Sequence, residues 1–513
     1  MSKMAKAAIG LMIVTLISKL LGFGREIVLA SSYGATSYSD AYLTALNIPN
    51  VIFASIGSAL ATTFIPIFFD VEKEKGEESA VKFTSNVFNI VIILCSLIAI
   101  IGLVFTEPLV KIFAIGFKGE ILQITTNFTR ILILGVIFIG LNNIITAYLQ
   151  IKGNFIIPGI ISLPYNVIII ISIILSTKYG PYIMVYGTLL AIISQFIFQL
   201  PWAIKNKFKY KAYINVKDES IKKLIWLLAP VFIGIAVNQI NVVLDRSLAS
   251  TLDVGSISAL NYSNKLVAFI TTLFIASISS VIYPSLSKLS SDSNKLEFNN
   301  IVVTSVNIII LVIIPISVGA IVLSKPIVEL LFQRGEFDVN ATIMTSNALR
   351  FYAIGMIAFG LNDIVSKIFF SLKDTRTTTL VSFITVTTNI ILNFILIKPL
   401  GYNGLALATS ISSLIGVFIL FVCLRRKSGN FGEKKIISAL FKSIIAAVSM
   451  AIVVVFIYNS LDLIISSNLV SHIIKIGISV VSGAFVYLIA IILLKVEEIN
   501  MIFNMIKLKL KKS

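Results

Sequence analysis

The sequence predicts an all-α polytopic membrane protein. About fourteen transmembrane helices form two six-helix lobes, related by a pseudo-two-fold along the membrane normal, with two extra helices at the C-terminal end. Three observations predict this: composition, the placement of the cations, and an internal repeat. Of 513 residues, 57% are hydrophobic and 13% charged, with a mean hydropathy of +0.99. Soluble domains are about 45–50% apolar and about 25% charged. A water-soluble fold cannot sequester this much apolar surface, so lipid is the solvent for most of the chain.

A bilayer core about 30 Å thick takes about 20 apolar residues of helix. Fourteen candidate runs are centred near residues 15, 55, 97, 137, 166, 192, 235, 275, 312, 356, 388, 412, 447 and 482. The first follows Lys3 and Lys6 without a small-residue cleavage site behind it, and reads as a span rather than a signal peptide. Pro49, Pro66, Pro164, Pro230 and Pro284 lie inside spans, where neighbouring helices re-satisfy the interrupted backbone. No polar stretch is long enough for a soluble domain.

The net charge of +18 would suggest nucleic acid in a soluble protein. Here the cations crowd into alternate loops, so topology explains them and no nucleic-acid partner is expected. The loop after span six carries Lys205, Lys207, Lys209, Lys211, Lys217, Lys222 and Lys223. Arg425, Arg426, Lys427, Lys434 and Lys435 follow span twelve, and Lys507, Lys509, Lys511 and Lys512 fill the tail. The other loops hold only Lys111, Lys118, Lys178, Lys325, Arg334 and Lys398. Both termini are therefore expected in the cytoplasm, and the basic stretch 499–512 reads as a membrane-surface anchor. A single His (His472) and two Cys (Cys95, Cys423), both inside apolar runs, leave no zinc site, no Ser-His-Asp triad and no disulfide framework.

The repeat has an offset of about 220 residues. Leu29-Ala30-Ser31 recurs as Leu248-Ala249-Ser250, and Pro66 answers Pro284. Glu107-Pro108-Leu109-Val110-Lys111-Ile112 parallels Lys325-Pro326-Ile327-Val328-Glu329-Leu330. Gly140-Leu141-Asn142-Asn143 parallels Gly360-Leu361-Asn362-Asp363, and Asn166 falls opposite Asn389. Each unit holds an even number of spans and inserts the same way up, with a central cavity expected between the lobes. The expected divisions are 1–210 (spans one to six), 211–428 (spans seven to twelve) and 429–513 (spans thirteen and fourteen with the tail). Such a chain is a transporter scaffold, in which the lobes rock.

Ionisable groups within lipid cost a few kcal/mol each and usually face a cavity or a partner. Lys19 lies roughly 20 Å along a helix from Lys6. Arg25 and Glu26 follow after Gly22-Phe23-Gly24, where two glycines let a helix bend, and Lys265 lies about 14 Å into span eight. Lys19, Arg25 and Lys265 are thus expected to converge on one anion, for which a diphosphate is the natural candidate. Asp40 is the other acid near that first turn. The plainer alternatives are that Arg25 pairs with a neighbouring acid and that the lysines snorkel to an interface. A second constellation is Asp245 with Asn389, Asn393 and Thr409, whose oxygens suit Na⁺ or an interhelical hydrogen-bond cluster. Asp363 and Lys367, four residues apart, read as an ion pair within one helix.

Ser18-Lys19-Leu20-Leu21-Gly22-Phe23-Gly24-Arg25-Glu26 resembles the first-span signature of the MurJ (MviN) lipid II flippases. Ser39-Asp40-Ala41-Tyr42, Asn47-Ile48-Pro49-Asn50 and Phe64-Ile65-Pro66 continue the pattern. In the second half, Tyr262-Ser263-Asn264-Lys265-Leu266, Pro284-Ser285-Leu286-Ser287 and Leu331-Phe332-Gln333-Arg334-Gly335-Glu336-Phe337 do the same. The resemblance covers essentially the whole chain. It implies the fold of the multidrug/oligosaccharidyl-lipid/polysaccharide exporter superfamily. It also implies alternating access that carries lipid II, the undecaprenyl-diphosphate disaccharide-pentapeptide, to the outer leaflet of the bacterial cytoplasmic membrane for peptidoglycan synthesis.

On that resemblance Lys19, Arg25 and Lys265 are cavity cations and Asp40 their acidic partner. Two of the three are Lys where the family often has Arg, which keeps the charge but not the bidentate fork. Residues 51–60 hold no charge where the family often places more. The sodium site of some members maps onto Asp245, Asn389, Asn393 and Thr409, with Asn393 where an acid is expected. Coupling to Na⁺ or to the membrane potential is expected, since no Walker-type motif is present. No covalent chemistry and no enzyme activity are expected, and the protein is expected to be a monomer. A flippase for another polyprenyl-linked glycan is the alternative. A cation-coupled drug exporter fits less well, because its cavity would be acidic and aromatic rather than basic.

Overall fold

Lipid offers a backbone N–H or C=O no partner except another backbone group, so a chain this apolar folds as helices. The computed structural model describes residues 3–291, 295–464 and 468–498, and these form seventeen helices and no strand. The basic stretch 499–512 lies outside the described residues. Ten helical stretches are long and apolar enough to cross a bilayer, and they hold ten of the expected span centres. The four others, near 15, 55, 235 and 275, fall on long helices as well.

Contacts divide the chain into two units. The first, Met1–Ser258 with Arg334–Phe337, contains α1 (Lys3–Tyr33), α2 (Ser37–Val104), α3 (Thr106–Phe113), α4 (Gly119–Leu132) and α5 (Gly135–Ile151). It continues with α6 (Ile156–Ile160), α7 (Ser162–Tyr179), α8 (Tyr182–Lys205) and α9 (Glu219–Ala249). The helix expected to open the second lobe, α9, packs on α2 and belongs to this unit. α2 runs through Pro49 and Pro66 and turns at Gly76, whose φ of +83° is one glycine adopts readily. Its aromatic core links both arms of that turn. Phe64 stacks on Phe83 with ring centroids 5.6 Å apart, and Phe68 meets the edge of Tyr148 at 6.0 Å.

The second unit, Ala259–Gln333 with Asp338–Ser513, is built from α10 (Ser256–Ser291), whose first three residues belong to the first unit, α11 (Lys295–Val322), α12 (Ser324–Phe332) and α13 (Val339–Ser371). The rest of it is α14 (Thr375–Leu400), α15 (Tyr402–Ser428), α16 (Glu433–Ile464) and α17 (Leu469–Leu493). Side-chain carboxylates cap helices where the chain turns: Asp338 accepts from the Ala341 amide and Asp374 from the Thr377 amide, each satisfying an otherwise orphaned N–H. The repeat is visible in the helices themselves. The short α3 recurs as α12, the pair α4–α5 as α13, α7 as α14 and α8 as α15, each about 220 residues on. Both units pack their last two repeat helices together, α7 on α8 and α14 on α15.

The outer surfaces are apolar. The protein covers only 17% of the most apolar window of α14 and 22% of that of α17, against 61% for α4–α5. Phe383, Ile391, Phe394 and Ile395 of α14 are all more than two-fifths exposed. Such continuous apolar surface is stable against acyl chains and not against water.

Candidate substrate site

α1 continues as one helix through Gly22-Phe23-Gly24. The glycines have different roles. A side chain at Gly22 would lie 3.9 Å from the Asn166 amide, whereas Gly24 faces open space. α1 therefore lies close along α7, and that approach delivers Arg25 to its partners. Its guanidinium donates to Glu26 Oε1 at 2.7 Å and to Asn166 Oδ1 at 3.2 Å, and lies 5.7 Å from the centre of the Tyr165 ring. Asn166 is itself fixed, because its Nδ2 donates to the Ser162 carbonyl at 2.7 Å. The Arg25 side chain is 16% exposed and that of Glu26 5%. The guanidinium is thus held by Glu26, Asn166 and Tyr165 and is largely buried.

Lys19, six residues earlier on α1, is half-buried and forms no ion pair with the described residues. Lys265 is an exposed residue of α10 in the second unit. Asp40 does not meet Arg25. Its carboxylate accepts from the Gly255 amide at 2.7 Å, the Ser258 amide at 2.8 Å and the Ser258 hydroxyl at 2.5 Å. It therefore closes the N-terminal end of α10, where a negative charge also complements the helix dipole. Sequence reasoning did not assign Asn166 and Tyr165 to Arg25. The repeat had marked Asn166, but its partner lies 141 residues away in the chain.

In the second unit Asn389, Asn393 and Thr409 do come together. Asn393 Nδ2 donates to Asn389 Oδ1 at 3.0 Å, Asn389 Nδ2 to Thr409 Oγ1 at 3.4 Å, and Thr409 Oγ1 to the Leu405 carbonyl at 3.0 Å. Both asparagines are buried. Asp245 lies in the first unit, where Asn241 donates to it at 3.4 Å. The Asn389 and Thr409 oxygens each accept one amide hydrogen bond and keep a second lone pair, so the trio forms a hydrogen-bonded cluster whose oxygens are still able to ligate a cation. Asp363 accepts from Lys367 Nζ at 2.8 Å, as expected for the i, i+4 pair, and also from the buried Ser279 hydroxyl of α10.

Comparison with known proteins agrees in detail. The sequence pattern of the family described as lipid II flippase MurJ matches residues 29–494. The probable lipid II flippase MurJ of Buchnera aphidicola subsp. Baizongia pistaciae is 30% identical over 471 residues, covering 90% of this chain and 91% of that protein. The corresponding Vibrio cholerae protein is 28% identical over 437 residues, 82% of each chain. A solved structure of lipid II flippase MurJ in an inward closed conformation aligns with a TM-score of 0.79 at 29% identity, covering 94% of this chain and 97% of that one. An inward-facing multidrug resistance MATE transporter of the MOP superfamily aligns at 0.68 and 15% identity, over 83% of this chain and 99% of the other, and shares the fold alone. A sequence match over nearly the whole length, together with the same arrangement of helices, places this multi-pass membrane protein in the MurJ lipid II flippase family.

Proposed function

We propose that the protein is a lipid II flippase: it carries undecaprenyl-diphosphate-linked peptidoglycan precursor from the inner to the outer leaflet by alternating access. The observation that carries this beyond family membership is Arg25. A guanidinium inside a spanning helix is costly, and Arg25 is held there by Glu26 and Asn166. Its five N–H donors exceed those two bonds, and the remainder suit a phosphate oxygen, which accepts short, charge-assisted hydrogen bonds from guanidinium. Lys19, on the same helix, supplies a second cation, and Lys265, in the second unit, is the third that the sequence assigns to the diphosphate. Neutralising the diphosphate lowers the desolvation cost of bringing the headgroup to mid-membrane, while the polyprenyl tail stays in lipid. The cycle needs no covalent step. Both termini are placed in the cytoplasm, and the working unit is taken as a monomer.

The membrane potential is the driving force this reading favours. Na⁺ held by Asn389, Asn393 and Thr409 is the second candidate for the driving force.

The test is complementation of a bacterium depleted of its own lipid II flippase, scoring lipid II exposed on the outer leaflet. Wild-type protein is expected to restore exposure, and Lys19→Ala or Arg25→Ala to reduce it at least tenfold, a loss of about 1.4 kcal/mol or more. Restoration that survives both substitutions removes the cationic site and keeps the function. No restoration by a well-inserted protein moves the assignment to another polyprenyl-linked glycan.

A further inference from the structure

The segment joining α8 to α9 is not arranged as a water-facing loop. Three buried polar side chains of α2 hold its backbone. Ser85 donates to the Lys209 carbonyl at 3.3 Å, Asn89 to the carbonyls of Lys211 and Tyr213 at 3.0 and 3.1 Å, and Asn86 exchanges two bonds of 2.9 Å with Asn215. Side chains of an extended segment alternate between its two faces. Here Tyr213, under the Lys82 ammonium at 4.1 Å, and Asn215, whose Nδ2 donates to the Tyr213 hydroxyl at 3.2 Å, are both half-buried. Ile214 and Val216 turn outward, 54% and 57% exposed. A water-facing loop shows the opposite alternation, with apolar side chains inward.

Exposed tryptophans flank the segment. Trp202 lies in the last turn of α8 and Trp226 is the eighth residue of α9, exposed by 38% and 75%, and they are the only two tryptophans of the sequence. Lysines run between them. Lys207, Lys211 and Lys223 pair with Glu77, Glu78 and Asp70. Lys205, Lys209, Lys217 and Lys222 form no ion pair within 4 Å among the described residues, although Lys209 lies near enough to Glu78 to favour its charged form. Asp218 is taken up in capping α9, which leaves Glu219 as the exposed acid of the stretch.

We propose that the 202–226 surface is a lipid-binding strap that lies on the leaflet at this end of the molecule and takes anionic glycerophospholipid headgroups. Tryptophan and tyrosine favour the headgroup level of a bilayer, and unpaired lysines beside a span attract anionic lipid. The apolar outer face enters the acyl boundary, the four lysines meet the phosphates, and the α2 side chains hold the strap flat.

Because both tryptophans lie in this segment, intrinsic fluorescence reports it without a label. The experiment reconstitutes the full chain in vesicles of phosphatidylcholine and phosphatidylglycerol at fixed ratio, with bromine on the acyl chains of one lipid or the other. Brominated phosphatidylglycerol is expected to quench with about twice the slope of brominated phosphatidylcholine, and about 0.5 M KCl to remove the difference by screening. Replacing Lys205, Lys209, Lys217 and Lys222 by Gln is expected to equalise the slopes, and Trp202→Phe and Trp226→Phe assign the signal to each end. Equal slopes in the wild type overturn the selection for anionic lipid. Quenching by aqueous iodide with none by either brominated lipid overturns the strap itself and leaves the surface to water or a protein partner. None of these readouts depends on transport of lipid II.

Discussion

At the scale of single residues, the site is a matter of which buried charges have partners. Arg25 and Glu26 satisfy each other at 2.7 Å with both side chains largely buried. Removing one member of such a pair leaves an uncompensated charge, which costs about 3–5 kcal/mol in buried settings. Arg25→Ala is therefore expected to lower the thermal stability of the purified protein, and adding Glu26→Gln to restore most of it. If flippase activity stays absent in the stable double variant, Arg25 acts on substrate and not only on the fold. A double variant no more stable than Arg25→Ala would show that Glu26 is not left stranded.

Asp40 presents the reverse case. Its acceptor positions are filled by Gly255 and Ser258, so its first duty is to hold the start of α10. Asp40→Ala strands two buried amides at about 1–3 kcal/mol each and is expected to unfold at lower temperature. Asp40→Asn keeps an acceptor and is expected to lose less. Unchanged stability in Asp40→Ala, with transport lost, would return this carboxylate to the substrate site.

At the scale of helices, close approach depends on small residues, because lipid provides no hydrophobic drive between one apolar helix and another. Gly187 of α8 shows how tight the α7–α8 seam is: a Cβ there would collide with the Ser172 side chain. α7 also carries Tyr165 and Asn166, so this seam sets the position of the Arg25 partners. Gly187→Ala is expected to force the helices apart at a cost of about 1–3 kcal/mol, and Ser172→Gly in the same chain to relieve it. Thermal unfolding in detergent reads both, and equal stability of wild type and Gly187→Ala would show that the seam has room. The placement of spans was largely legible in the sequence, since ten of the fourteen expected centres fall in apolar helical stretches. The use of Gly22 was not. Glycine permits a bend but does not impose one, and close packing on Asn166 is the use the fold makes of Gly22.

At the scale of the whole molecule, direction is the question. Lipid II carries an anionic diphosphate, and an interior-negative potential favours its outward movement by about 2.3 kcal/mol per charge per 100 mV. The emptied cations favour the return stroke by the same field. Collapsing the potential with valinomycin and K⁺ is expected to abolish outer-leaflet lipid II, whereas replacing Na⁺ with choline leaves it unchanged. Exposure that persists without a potential but fails without Na⁺ would favour an ion site at Asn389, Asn393 and Thr409.

The sequence by itself determined the membrane class, the helical runs, the repeat, and, through Ser18–Glu26 and its companion motifs, the family. These are properties of composition and short spacing, which a chain carries before it folds. Only the tertiary structure decided what each charge does. It gave Arg25 to Glu26, Asn166 and Tyr165, gave Asp40 to the start of α10, and turned the apolar side of the 209–217 strap outward. Those partners lie up to 218 residues apart, and no local pattern encodes which of several distant polar groups packing will bring within 3 Å.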